Sequence, residues 1–152
     1  MQGTIIADTT CLIVLEKIGE LNLLKDLYGA IAITSEVALE YGTNLPPWIQ
    51  IHTPENKNYQ KILEASLDSG EAASIALAIE LPDSLLILDD GKGRKFAENL
   101  GIKYTGTLGI LLAAKAAGVI LAVLPILEKI KSTNFRITPD MERKVLLLAG
   151  EA

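Results

Sequence analysis

The chain has 152 residues, 49% of them apolar and 22% charged, with a formal net charge of −5, which suits one domain with a sizeable core and excludes a disordered chain. A sequence pI near 4.9 argues against strong non-specific binding to nucleic acid, although a local grip on a substrate remains open. The single cysteine, Cys11, rules out an internal disulfide, and the single histidine, His52, leaves no Cys/His zinc site.

The first strand is expected at 4–7, a short buried run ending at Asp8. Thr9 and Thr10 read as the cap of a helix carrying Leu12, Ile13, Leu15 and Ile18, which Gly19 ends. Leu21, Leu23, Leu24 and Leu27 form a second short helix stopped near Gly29, and residues 30–33 form a second strand. Thr34 or Ser35 caps the next helix, which bears Glu36, Val37, Leu39, Glu40 and Tyr41 and stops at Gly42. Residues 43–47 are the best candidate for a mobile loop, and 48–52 read as extended.

Residues 58–67 are expected to be helical, and Ser69 to cap a helix over 70–80 whose alanines (Ala72, Ala73, Ala76, Ala78) permit close packing. The run 85–88 is the clearest strand, ending in Asp89-Asp90. A helix at 92–100, a strand at 102–104, and helices at 108–117, 120–131 and 139–149 complete the chain, the last with Pro139 at its first position. Residues 108–127 are apolar enough to resemble a membrane span. Lys115, Gly118 and Pro125 interrupt them, so two buried helices fit better and no membrane partner is expected.

This alternation of short apolar runs and amphipathic stretches is the pattern of βαβ units on a parallel sheet. In such a sheet ligands gather at the carboxyl ends of the strands. Asp8 follows one strand and Asp89-Asp90 another, so strand direction alone brings them to one edge. Carboxylates facing one another repel unless a cation lies between them. Mg²⁺ and Mn²⁺ take oxygen ligands, orient a water and lower its pKa. No Cys or Ser nucleophile with a His partner is evident, which leaves metal-activated water as the attacker.

Each acid also has a bland reading. Asp8 with Thr9 and Thr10 serves a helix cap; Glu36 complements a helix dipole; Glu71, just past Ser69 and three residues after Asp68, serves another helix start. Glu36 and Glu40 lie one turn apart on the same face, and spacing does not choose between them. Of Asp89 and Asp90, one is expected to cap the following helix while the other faces the site. Lys92, Arg94 and Lys95 either grip phosphates beside the acids or form a solvated helix face. Cys11 reads as a small core residue, His52 as a surface or strand residue, and Trp48 beside Pro46-Pro47 as a loop anchor.

The order of these segments resembles the PIN-domain nucleases, in particular the small VapC-like branch among toxins of prokaryotic toxin–antitoxin pairs. The segments are Ile5-Ile6-Ala7-Asp8-Thr9-Thr10, Val37-Ala38-Leu39-Glu40, Leu67-Asp68-Ser69-Gly70-Glu71-Ala72, Leu86-Ile87-Leu88-Asp89-Asp90 with Gly93-Arg94, Thr105-Gly106-Thr107-Leu108-Gly109, and Phe135-Arg136-Ile137. The resemblance implies a three-layer α/β/α fold with a mostly parallel sheet, spanning 1–152 as one PIN-like domain, and a Mg²⁺- or Mn²⁺-dependent endoribonuclease. It implies Asp8, Glu40, Glu71 and Asp90 as catalytic acids, with Asp8, Asp89, Asp90 and Glu71 toward metal. Glu71 stands where many relatives carry aspartate. Lys92, Arg94 and Thr107 are its substrate-side candidates, Thr107 alternatively being the cap of 108–117. It further implies a small antitoxin partner.

A mean hydropathy of +0.33 points to an apolar surface patch, hence a partner or a homodimer. Residues 1–8 lack the basic start of a secretory leader, which with one cysteine points to the cytoplasm. Two other readings compete. A Mg²⁺-dependent phospho-acceptor would want its acid pair after the first strand, and a phosphatase of the haloacid dehalogenase type two aspartates one residue apart there; Asp8-Thr9-Thr10 offers neither. The third reading is a non-catalytic PIN-like binding protein.

Overall fold

The computed structural model describes residues 3–42 and 44–152. Thr43, at the head of the expected mobile loop, and Met1 and Gln2, the start of the segment read for a leader, lie outside the described residues. Elements follow one another as β1 (Ile5–Ala7), α1 (Thr9–Lys17), α2 (Asn22–Tyr28), β2 (Ile31–Ile33), α3 (Ser35–Tyr41), β3 (Ile49–Ile51), α4 (Lys57–Leu63), α5 (Ser69–Glu80), β4 (Leu85–Ile87), α6 (Gly91–Asn99), β5 (Tyr104–Thr105), α7 (Thr107–Ala116), α8 (Leu124–Lys131) and α9 (Pro139–Leu148).

The strands form a parallel sheet in the order β3-β2-β1-β4-β5. Chain direction across the sheet reverses between β1 and β4, the switch point at which α/β sheets open a crevice. The register there pairs Ile5 with Leu85, Ile6 with Leu86 and Ala7 with Ile87. Alternate side chains go to opposite faces. Ile5, Ala7, Ile31, Ile33 and Ile87 pack with α1, α2, α7 and α8, whereas Ile6, Ala32, Leu86 and Leu88 pack with α4 and α5. Three layers follow from that alternation, and because both faces are covered, the central strands are apolar throughout. The alanines of α5 are buried and let its axis lie close to β1 and β4.

Local chemistry moves several boundaries from their expected places. Asp68, not Ser69, caps α5: its Oδ1 accepts the Glu71 N–H at 2.9 Å, and Ser69 is the first helical residue. Thr9 and Thr10 lie inside the first turn of α1, and Asp8 precedes it without a side-chain cap bond. Helix α4 stops at Leu63, not 67, because Ala65 and Ser66 donate to the carbonyls three residues back and tighten the chain. The last strand is Tyr104–Thr105, paired with Leu86 and Ile87, with Lys103 O accepting from Leu86 N at 3.0 Å, so it lies later than 102–104.

The apolar stretch at 108–127 divides between α7 and α8, and among the described residues no helix is long and apolar enough to cross a membrane. Helix α8 begins at Leu124, not 120, with Pro125 in its first turn. Its entry is fastened by Glu151, which accepts from Val123 N at 2.7 Å, Leu124 N at 3.0 Å and Lys115 Nζ at 2.9 Å. The Val123 N–H and the Lys115 ammonium hold the Glu151 pKa down to about 2, so this clasp stays charged until strongly acid pH.

Ile6 is fully buried in the central strand. Ile6→Ala is expected to lower the unfolding free energy by about 3 kcal/mol through lost burial and a residual cavity, read as a lower urea midpoint at unchanged slope.

Candidate active site

The Asp8 N–H donates to Ile87 O at 3.0 Å. The β1–β4 register thus fixes the backbone of Asp8 beside the turn that carries Asp89 and Asp90. Two helices add to this edge. Helix α5, capped by Asp68, starts here with Glu71 in its first turn. Helix α3 brings Glu40 against the start of α5: a Cβ on Gly70 would overlap Glu40 Oε1. Glycine at 70 is therefore what lets these helices bring their acids together.

Asp8 and Glu71 are buried, at 6% and 8% exposure, and form the floor; Glu40, Asp68 and Asp90 are exposed and form the rim. Burial pushes the Asp8 carboxyl up to about 7, and the charges of Asp68, Glu40 and Asp89 push the same way, with the Thr9 N–H pulling partly back. Burial raises Glu71 to about 8, helped by the Asp68 charge and by hydrogen bonding of its protonated form to Asp90 and Asp68. Glu40 is raised by burial first and by Asp68 second. The N-termini of α5 and α6 face this concentration of negative charge and offset a part of it.

The rival glutamate is turned away. Glu36 accepts from Gln60 Nε2 at 2.6 Å and Ser35 Oγ at 3.0 Å and lies 3.9 Å from Lys57 Nζ. Its partial burial acts to raise its pKa, but Gln60, backbone and Ser35 hydrogen bonds and the Lys57 charge hold it below the usual value. Of Asp89 and Asp90, the cap expected of one falls to Asp90, while the Asp89 charge reaches Asp8. Asp90 takes both roles: its Oδ2 accepts from Gly93 N at 2.9 Å, capping α6, and it neighbours Glu71. Asp89 instead accepts from Thr107 N at 2.8 Å and Thr107 Oγ1 at 2.7 Å, tying the β4 turn to α7.

Thr107 is fully buried, and its hydroxyl serves Asp89. It is not the cap of α7, which is Gly106. A Cβ at 106 would lie 2.7 Å from Asp89 Oδ1 and overlap Arg94 Nη2, so glycine is needed where these two side chains cross the turn. Lys92 and Lys95 are exposed on α6. Arg94 is better held: its Nε donates to Leu88 O at 2.7 Å, and its guanidinium lies 5.3 Å from the Tyr104 ring centre. Cys11 is buried, its thiol pushed up to about 12 by burial and then by Asp89, so it is a core thiol and not a nucleophile.

Asp68 is the site residue that sequence reasoning passed over. Its signal was present: an aspartate three residues before Glu71, at a position where a cap faces the same edge as the helix it caps.

A model of the DUF3368 family, a PIN domain, matches residues 4–151. The chain belongs to the PIN-domain family. No curated protein matches the sequence. The PIN fold is of nuclease type, and PIN domains generally use divalent metal ions.

The residues of this PIN domain fit such an ion in chemistry. The donors at the edge are carboxylate oxygens, the preference of Mg²⁺ and Mn²⁺. The buried Thr9 hydroxyl partly offsets the rise at Glu40 yet makes no well-formed hydrogen bond among the described residues. As the side chains lie, no three acids among the described residues converge into a closed cage. That suits a hydrated ion, which keeps several waters and takes only one or two carboxylates.

The raised carboxyls set a pH dependence. In the folded chain Asp8 and Glu71 keep their protons above the ordinary values of 3.8 and 4.5, where the unfolded chain has released them. Their contribution to stability in chelator is thus fully present below those values and is lost as pH rises through about 7 and about 8. Asp8→Asn is expected to flatten this decline and to exceed the wild type by about 1–3 kcal/mol at pH 8 in chelator. Urea unfolding from pH 4 to 8 measures it; parallel pH profiles for the two chains would refute the assignment.

Proposed function

We propose that this PIN domain is a Mg²⁺- or Mn²⁺-dependent endoribonuclease, hydrolysing RNA phosphodiester bonds with water as the attacker. The observation that carries the reading is the acid edge: five carboxylates on four elements, two of them buried with strongly raised pKa values. Such crowding opposes stability in the free chain and is relieved by a cation. When bound, the ion would supply a Lewis acid that orients and acidifies water and offsets charge on the phosphodiester.

In this reading Asp8 and Asp90 hold the ion directly, Asp8 fixed by the β1–β4 register and Asp90 by its bond to Gly93 N, and Glu71 meets it through a water. Glu40 and Asp68 orient water from the rim. Glu71, on the buried floor beside Asp90 and Asp68, is placed to exchange a proton with the attacking water or the leaving oxygen. Asp89 acts indirectly, holding the turn through Thr107. Arg94 supplies positive charge beside the acids of a chain whose net charge is negative.

The proposed setting is the cytoplasm, as the toxin of a toxin–antitoxin pair, with a small antitoxin covering the acidic groove. Exposed Leu39 and Ile62, at 82% and 71%, on adjoining helices α3 and α4 support a homodimer or partner contact through helical faces. Toxicity of the chain expressed alone, relieved by the product of a neighbouring gene, tests the pairing.

The central test is cleavage of a single-stranded RNA with Mg²⁺ or Mn²⁺. Asp8→Asn and Asp90→Asn are each expected to reduce the rate about 100-fold or more; metal-dependent cleavage that survives both substitutions sinks the site. Gly70→Ala provides a subtler check. Its methyl displaces the flexible end of Glu40, so a rate loss of about tenfold is expected, with the melting temperature within a few degrees of wild type.

A further inference from the structure

A cavity of about 630 Å³ opens beside the acid edge, between α6, β5 and α7 on one side and α9 with the preceding loop on the other. That volume lies in the range of about 300–1,000 Å³ usual for small-ligand sites. Asp89 and Asp90 line one end, so the cavity is continuous with the proposed site of cleavage. Its far wall is apolar, built from Leu112, Phe135, Met141 and Val145 among others.

The charge at its rim decides what fits. Arg94, Arg136 and Lys144 all line the cavity, and among the described residues none has a carboxylate partner. On α8 and α9 the neighbouring cations are matched, Arg143 with Asp140 and Lys131 with Glu142, whereas Lys92 and Lys95 beside Arg94 on α6 are exposed and, like the three cavity cations, have no carboxylate partner among the described residues. In a chain of net charge −5, three unmatched cations around one apolar hollow mark an anionic ligand with a flat or apolar body. Arg94 is already oriented by Leu88 O and stacked on Tyr104. That arrangement holds a planar donor group beside an aromatic surface in the cavity wall, the pairing suited to a phosphate next to a base.

We infer that this cavity is a subsite for one unpaired nucleotide of the RNA, adjoining the phosphate at the acid edge. The base enters the apolar hollow between Tyr104, Phe135 and Met141, and Arg94, Arg136 and Lys144 take the flanking phosphates. A base in a duplex cannot enter, since its faces are stacked and its edge is paired, so the subsite selects single-stranded RNA. This inference rests on the ribonuclease reading for its substrate and goes further in naming where a base is held and which side chains take its flanking phosphates.

The test uses the full chain in EDTA with a fluorescein-labelled single-stranded RNA hexamer, followed by anisotropy over a salt series. The same sequence as a duplex and a hexamer with one abasic position are measured beside it. Arg136 and Lys144 are exposed, so R136A/K144A leaves the fold intact, checked by an unchanged melting temperature. The wild type is expected to favour the single strand over the duplex and over the abasic hexamer by about tenfold each. The double variant is expected to lose about tenfold in affinity and about two from the salt slope.

Unchanged affinity in the double variant, or equal binding of all three probes, overturns the subsite. If such a chain still cleaves RNA with Mg²⁺, the nuclease reading stands without it. Base-dependent binding by a chain that cleaves no RNA keeps the nucleotide site and removes the nuclease reading. Unchanged RNA affinity combined with loss of a co-purifying partner protein in the double variant assigns the cavity to that protein, and likewise overturns the inference.

Discussion

Pairing of β1 with β4 is the constraint on which the rest of the site depends. These strands are joined only by short parallel ladders, yet their register places the Asp8 backbone against Ile87 O and brings the two chain ends that carry acids side by side. A one-residue slip would turn Ile6 and Leu86 out of one core layer and Ala7 and Ile87 out of the other. The two apolar layers therefore enforce the register, and the register enforces the proximity of like charges. Hydrophobic burial on both faces of the sheet supplies the free energy that holds repelling carboxylates together.

Helix geometry completes what the strands begin. Three helices, α3, α5 and α6, deliver acids to the same edge, and small residues at Gly70 and Gly93 leave room for them. The result is graded and not uniform. A buried floor of Asp8 and Glu71 holds protons near neutrality, while the exposed rim of Glu40, Asp68 and Asp90 meets solvent. The chain's overall acidity and its proposed RNA chemistry are compatible because three of the 14 Lys and Arg residues are gathered at one place. Arg94, Arg136 and Lys144 stand around one hollow next to the acids.

Much of this was legible in the sequence where short-range rules apply. Four-residue apolar runs ending in acids gave the sheet and its functional edge, and the interrupted run at 108–127 resolved into two helices as Lys115, Gly118 and Pro125 require. What local pattern could not supply was tertiary choice. Glu36 and Glu40 share a helix face, and only the position of Gln60 and Lys57 on α4 draws one of them away. The difference between Asp89 and Asp90 depends on Thr107, which lies 18 residues on in the chain. Caps were misplaced by one residue at α5 because Asp68 and Ser69 are both good capping types, and the backbone geometry of the preceding turn decides between them. Lys144 belonged to no motif and Arg136 only to the closing Phe135-Arg136-Ile137 segment; that the two share one cavity with Arg94 emerges only when α9 folds back toward β5.

The double employment of Asp90 has a consequence for reading any mutational survey of this edge. One oxygen closes the first turn of α6 while the residue also faces Glu71, so alanine there would unravel a helix start and delete a ligand in one stroke. Loss of function would then be an ambiguous signal, mixing frayed architecture with missing chemistry. Asparagine separates the two, because its side-chain oxygen still accepts the Gly93 N–H while its charge is gone. Asp68 has the same character at α5. At both positions the informative substitution is the isosteric one, and scanning by truncation would overstate how much of the site is catalytic.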